Sequence, residues 1–184
     1  HYPMGWANAS NTPFKMYKQY AHLGGVADPL IVSWPKGIAA RGELRTNFVH
    51  VIDLFPTLLE ATGVERPPVF KGQPQKPVEG QSVLATFASA DTATRNEQYF
   101  ELGGHRAYME DNWRAVARHT RGKPFEDDVW ELYDLSKDPA EGVDLARQFP
   151  EVVERLKSKW LRAAQQYNVL PLDDRNLVLR LVQD

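Results

Sequence analysis

The hydrophobic positions change their spacing twice along the chain, and each spacing predicts a different element. Near the C-terminal end, Phe149, Val153, Leu156, Trp160, Ala163, Ala164 and Tyr167 recur three or four residues apart. That is one apolar stripe of a helix, expected to pack on a sheet. Pro150 suits the first helical position, and Glu151 and Glu154 complement the positive end of the helix dipole. Glu151 is also placed to pair with Arg155 one turn on. Upstream, from Asn96, short β-branched and aromatic runs alternate with polar residues: 98–102, 106–109, 112–118 and 130–135. Gly103-Gly104 and Glu110-Asp111-Asn112 separate the first three, so the pattern predicts an antiparallel sheet of about four strands.

The first half of the chain is patterned less regularly. Pro29-Leu-Ile-Val-Ser-Trp-Pro35 is its most apolar short run and predicts a short buried strand. In Asn47–Gly63, an N-cap at Asp53 puts Pro56 in the first helical turn, where a missing N–H costs nothing, and Gly63 supplies a left-handed stop. Residues 64–80 carry four prolines and predict a long surface loop. Ser82 is placed to cap a single helical turn, and Leu177–Val182 predicts an edge strand. The expected fold is α/β, or α+β for this stretch taken alone. Residues 1–95 read as the end of an α/β domain and residues 96–184 as a small α+β subdomain.

Composition narrows the function. The chain has 184 residues, 22 basic and 24 acidic, for a net charge of −2, which gives no electrostatic reason to expect nucleic acid. It has no cysteine, which excludes a disulfide framework, a zinc–thiolate site and a thiol nucleophile. A chain without cysteine suits cytoplasm or periplasm equally. No apolar run approaches the ~20 residues that span a bilayer, so no membrane partner is expected. The start lacks both an initiator methionine and a signal-peptide pattern, so the chain is expected to be an internal or C-terminal segment of something longer.

Candidate chemistry gathers before the apolar run, in Asn11-Thr-Pro-Phe-Lys-Met-Tyr-Lys-Gln-Tyr-Ala-His-Leu-Gly-Gly-Val26. A glycine pair lets backbone approach backbone closely. A loop that a rigid scaffold holds could present Lys18 to an anion. On pattern alone, a loop lysine is a solvated surface charge.

Lys18, three intervening residues, His22 and Gly24-Gly25-Val26 before Pro29-Leu-Ile-Val resemble the sulfatase segment K-x-x-x-(H/Y)-E-G-G-(I/V). Gly5-Trp-Ala-Asn-Ala-Ser-Asn-Thr-Pro-Phe14 is similar to the lead-in of bacterial-type arylsulfatases, members of the alkaline phosphatase superfamily. Further matches follow in order: His50-Val-Ile-Asp-Leu-Phe-Pro-Thr-Leu-Leu59, Arg106-Ala-Tyr-Met-Glu-Asp-Asn-Trp-Arg-Ala-Val116, and Trp130-Glu-Leu-Tyr-Asp-Leu135 with Asp138-Pro139, Glu141 and Asp144-Leu145. The chain departs from the pattern at Leu23, where the family usually has Glu, and at Val143, where Asn is common.

The resemblance implies the C-terminal part of an alkaline-phosphatase-like fold and hydrolysis of aryl sulfate monoesters. It implies that Lys18 binds sulfate oxygens. It makes His22 a candidate substrate contact or a supporting residue, and Asp53 a structural cap. The family's formylglycine nucleophile arises from a C/S-x-P-x-R motif, absent here, and the Asp-Asn pair among its calcium ligands would precede His1. Nucleophile and Ca²⁺ are thus expected from an N-terminal region outside this sequence, with no metal ligand inside it. The expected partners are that region and a small sulfate ester, and the chain alone is expected to be inactive. A phosphate- or phosphonate-ester hydrolase of the same superfamily and a noncatalytic partner-binding module stay open. Gly103-Gly104-His105-Arg106 could present a histidine and an arginine to substrate or simply turn a hairpin. Asp127-Asp128 and Asp173-Asp174 read as solvated turn carboxylates.

Overall fold

The computed structural model describes residues 3–175. The helices are α1 (Met4–Ser10), α2 (Leu23–Val26), α3 (Leu54–Thr62) and α4 (Pro150–Gln166). The strands are β1 (Val69–Phe70), β2 (Gln73–Pro74), β3 (Glu97–Leu102), β4 (His105–Glu110), β5 (Trp113–Ala117) and β6 (Trp130–Asp134). Among the described residues, 3–29 and 97–175 form one compact unit and 30–96 a second.

In the first unit, β3 to β6 form a four-stranded antiparallel sheet in sequence order. Gly103 and Gly104 turn the first hairpin at φ of 61° and 90°, the mirror-image turn whose twist matches the strands. Alternation along the strands sorts their side chains onto two faces. Tyr108, Ala115 and Leu132 face α4 and bury Val153, Leu156, Trp160 and Ala164. Each large side chain buried there is worth about 1.5–3 kcal/mol. The helical stripe thus lies where its spacing put it. Arg155 differs: it pairs with Glu110 of β4 at 2.6 Å, because its side chain reaches the sheet instead of Glu151.

Ala107, Val116 and Tyr133 face the other way and bury Ala21 from the segment before α2. This second face carries the candidate site. The acidic residues at the end of β6 and after it hold its turn by accepting backbone N–H groups. Asp134 accepts from Ser136, Asp138 from Val143, and Asp144 from Leu132 and Ala146. Unpaired amides in a tight turn need such acceptors, which gives the acidic motif its physical basis.

In the second unit, α3 ends at Gly63 with φ of 67°, the expected left-handed stop. Asp53 stands at the N-cap position of α3 as expected, but its side chain makes no capping hydrogen bond to that helix. Its carboxylate is buried and accepts from the N–H of His50 and of Gln81, both at 2.8 Å, and from Arg95 Nη2 at 2.5 Å. A short 3₁₀ turn over Val51–Asp53 precedes α3, so the Asp53 side chain points back to His50 instead of into α3. The helical turn after Ser82 is a 3₁₀ turn, Leu84–Phe87, and Ser82 Oγ accepts from the Leu84 N–H.

Two expectations fail in this unit. Residues 64–80 are not all loop, since β1 and β2 pair through Lys71 and Gly72, at φ of 49° and 79°. Residues 29–35 form no strand and are not buried: Ile31 is 91% exposed and Leu30 51%. A strand needs a ladder partner, and the described residues place none beside this run. The expected edge strand at Leu177–Val182 lies outside the described residues.

Candidate functional site

Lys18 is exposed on the otherwise mostly half-buried loop of residues 15–20, and makes no hydrogen bond or ion pair among the described residues. The loop is shaped, not slack. Met16 and Gln19, two residues before Lys18 and one after it, adopt φ of 66° and 81°. Such left-handed geometry in a non-glycine costs about 1–3 kcal/mol and persists only where the surroundings impose it.

Gly24 and Gly25 of α2 impose it. A Cβ on Gly24 would lie 2.2 Å from the Met16 carbonyl oxygen and 2.4 Å from that of Lys15. On Gly25 it would lie 2.2 Å from the Tyr20 carbonyl oxygen. The loop backbone therefore rests directly on the glycine pair, where any side chain would lift it off. The Gly24 N–H donates to the Lys15 carbonyl at 2.9 Å, and Asn11 Nδ2 donates to the carbonyls of Met16 and Gly24 at 3.1 and 2.8 Å.

Beneath the loop, the second face of the sheet supplies two anchors. In the first, His22 is 1% exposed and its Nε2 meets Glu131 Oε2 at 2.8 Å. Lys15 Nζ and the Tyr133 hydroxyl donate to the same oxygen at 3.1 and 2.6 Å. Hydrogen bonds from His22, then Tyr133 and Lys15, hold the Glu131 carboxyl down to about 2 against an ordinary 4.5, although burial opposes them. The Tyr133 hydroxyl is pushed up, first by burial and then by Glu131.

A carboxyl with a depressed folded-state pKa stabilises the fold above its unfolded pKa and loses that contribution as pH falls through the folded value. The stability gap between the parent chain and Glu131→Gln is therefore expected to be full at neutral pH. It should shrink from pH about 4.5 and close near pH 2, read by urea unfolding followed by tryptophan fluorescence. A gap that does not change with pH contradicts the assignment.

The second anchor is an ion pair sealed from solvent. Arg114 and Glu141 are each 0% exposed, with Arg114 Nε 3.0 Å from Glu141 Oε1. Arg114 Nη2 donates to the Ala21 carbonyl, and Glu141 Oε2 accepts the Leu23 N–H at 2.8 Å. The pair thus clasps the chain on both sides of His22. Leu23 stands where the resembling segment has Glu, and here Glu131 and Glu141 bring carboxylates to its neighbour and its own N–H.

The remaining sequence candidates separate. His105 is half-buried and meets Tyr20 at a tilt, with ring centroids 4.8 Å apart. Arg106 presents nothing to solvent: it pairs with Asp128 and lies over the Trp130 and Trp160 rings at 5.4 and 5.6 Å. Asp128 is accordingly not a solvated turn carboxylate, since its side chain is 5% exposed between Arg106 and His119. Asp174 accepts from the Gly122 N–H and faces His119 Nε2 at 3.3 Å. Among the described residues no group of three or more His, Asp or Glu is placed to hold a metal ion.

Residues 15–166, from Lys15 to the end of α4, match the family described as N-sulphoglucosamine sulphohydrolase, C-terminal. The chain belongs to this sulfatase C-terminal family. An uncharacterized sulfatase of Schizosaccharomyces pombe is 31% identical over 159 residues, which cover 85% of this chain and 28% of that protein. Arylsulfatase K of Xenopus laevis is 29% identical over 159 residues, covering 83% of this chain and 28% of that one. The sulfatase relatives are thus eukaryotic as well as bacterial. The crystal structure of Ps i-CgsB in complex with k-i-k-neocarrahexaose superposes with a TM-score of 0.63 at 19% identity, over 92% of this chain and 36% of that one, a likeness of fold. The chain spans less than a third of the length of the curated relatives it matches.

Sequence reading singled out Lys18, His22 and the glycine pair. It missed Lys15, Arg114, Glu131 and Tyr133.

Proposed function

We propose that this chain is the C-terminal part of a sulfate-ester hydrolase and that Lys18 binds the non-bridging oxygens of the sulfate. One observation carries the reading: Lys18 is an uncommitted cation on a loop whose strained backbone is held from below by a glycine pair and two polar anchors. Fixing the loop backbone removes part of the ordering cost of binding, and the unpaired ammonium gains a charge-assisted bond to a tetrahedral anion. His22, with Glu131 behind it, acts as a positioning residue under that loop. The formylglycine nucleophile and the calcium donors would come from residues outside this chain, so the chain alone binds the anion without turning an ester over.

Titration calorimetry with sodium sulfate and with 4-nitrophenyl sulfate tests this. The parent chain is expected to bind both saturably, and Lys18→Ala to weaken both about tenfold or more, the worth of a hydrogen bond to a charged group. Equal affinities in parent and variant refute the assignment. A lysine by itself does not separate sulfur from phosphorus, so tighter binding of 4-nitrophenyl phosphate would move the reading to a phosphate-ester hydrolase.

A further inference from the structure

A buried histidine far along the chain from Lys18 is enclosed by two carboxylates. His119 follows β5 by two residues, and its side chain is 1% exposed. Its Nδ1 lies 3.1 and 2.9 Å from the two oxygens of Asp128, and its Nε2 lies 3.3 Å from an oxygen of Asp174. Phe125 stacks on the ring with centroids 4.2 Å apart. Gly104 leaves room for both rings, since a Cβ there would lie 2.7 Å from Phe125 and 2.8 Å from His119.

Asp174 reaches this histidine on the segment that leaves α4. The chain turns at Asn168, with φ of 55°, and the Val169 N–H donates to the Ala164 carbonyl at 2.9 Å. Val169 and Leu172, both half-buried, pack against the cluster that holds Leu156 and Trp160. At Asp174 the segment is fastened to the turn after β5, because its carboxylate accepts the Gly122 N–H and faces His119.

The protons on the His119 ring decide how well that fastening holds. An imidazolium donates from both nitrogens and a neutral ring from one. Asp128 is also paired with Arg106 of β4, and Arg121 acts on Asp174 from the same turn. The Gly122 N–H, then His119, hold the Asp174 carboxyl below its usual range, so it is ionised. His105 of β4 accepts the His119 backbone N–H at Nδ1, 3.1 Å away. Burial, then the charges of His119 and Arg118, push the His105 pKa down, so that ring is neutral at neutral pH. A histidine is the side chain that ordinarily changes charge near neutral pH. When the ring of His119 gives up one proton, Nδ1–H is the one retained. Asp128 is 5% exposed against 25% for Asp174, and it offers two oxygens at shorter distance. The Nε2 proton passes to the water that reaches Asp174, and a lone pair then faces a carboxylate oxygen. That contact repels.

We propose that residues 168–175 are a strap, latched through Asp174 by the His119 imidazolium and released when Nε2 loses its proton. The strap is closed in mild acid and opens as pH rises through the range where histidines titrate, uncovering the flank of the core that Val169 and Leu172 cover. It works independently of what Lys18 binds.

Backbone ¹⁵N order parameters at Leu172 and Asp174 read the strap directly, on the full chain at about pH 5.5 and about pH 8.5. The parent is expected to give about 0.85 at the lower pH and less than about 0.6 at the higher. His119→Gln has no titrating ring, so its values should no longer differ between the two pH values. Asp174→Ala removes the latch from its more exposed side and leaves the buried contact of His119 with Asp128. It should give low values at Leu172 at both pH values, and it decides the question if the glutamine variant misfolds. Equal order parameters at the two pH values in the parent overturn the latch. A loss with pH that persists in His119→Gln overturns it too, as does a rigid Leu172 in Asp174→Ala.

Discussion

Glu141→Gln is expected to destabilise the chain by about 3–5 kcal/mol, because it leaves the Arg114 guanidinium charged and sealed in without its partner. Both side chains are fully buried, and the carboxylate answers the Leu23 N–H as well as Arg114. Burial already presses the Arg114 pKa downward, and Glu141 is what opposes it. Removing both charges, as in Arg114→Met with Glu141→Gln, should recover much of the loss, because the remaining groups no longer strand a charge. Urea unfolding followed by the fluorescence of Trp113, Trp130 and Trp160 reads both variants against the parent. A loss below about 1 kcal/mol in the single variant would show that water reaches the pair.

The second large effect is expected at Gly24. The methyl group of Gly24→Ala would meet two carbonyl oxygens at 2.2 and 2.4 Å, and both are backbone, so the loop must move as a piece. The Lys18 ammonium is then no longer presented where Asn11, Gly24 and the sheet hold it. Sulfate affinity should fall to the level of Lys18→Ala, while the sheet and α4 keep their unfolding transition within about 1 kcal/mol of the parent. The comparison of titration with unfolding separates a displaced loop from a lost fold. Parent-like sulfate binding by Gly24→Ala would mean that the backbone contact has no part in presenting Lys18.

The elements that local spacing announces are those whose partners are near in sequence. Four strands joined by tight turns and the helix after Pro150 were legible because alternation and three-to-four spacing are properties of ten-residue windows. The run at Leu30–Trp34 carried the same apolar signal, yet a strand exists only by pairing, and pairing is not written in the run itself. The candidate site was half legible. Lys18, His22 and the glycine pair share one short segment, and the resemblance marked them together. Their supports, Arg114, Glu131, Tyr133 and Glu141, come from strands and a turn about a hundred residues away, and no spacing rule connects them. Asp53 shows the opposite error: a cap rule with local logic chose the right residue and the wrong partner, because Arg95 and Gln81 competed for its carboxylate.

The small sheet also guards its own margins. On β3, the Phe100 carbonyl is taken by the Trp160 indole at 3.0 Å. On β6, the Leu132 N–H is taken by Asp144 at 3.0 Å and its carbonyl by the Leu145 N–H at 2.8 Å. Ladder groups that a side chain or a turn already answers are closed to another chain's strand, so Trp160 and Asp144 each narrow the template that one border of the sheet offers.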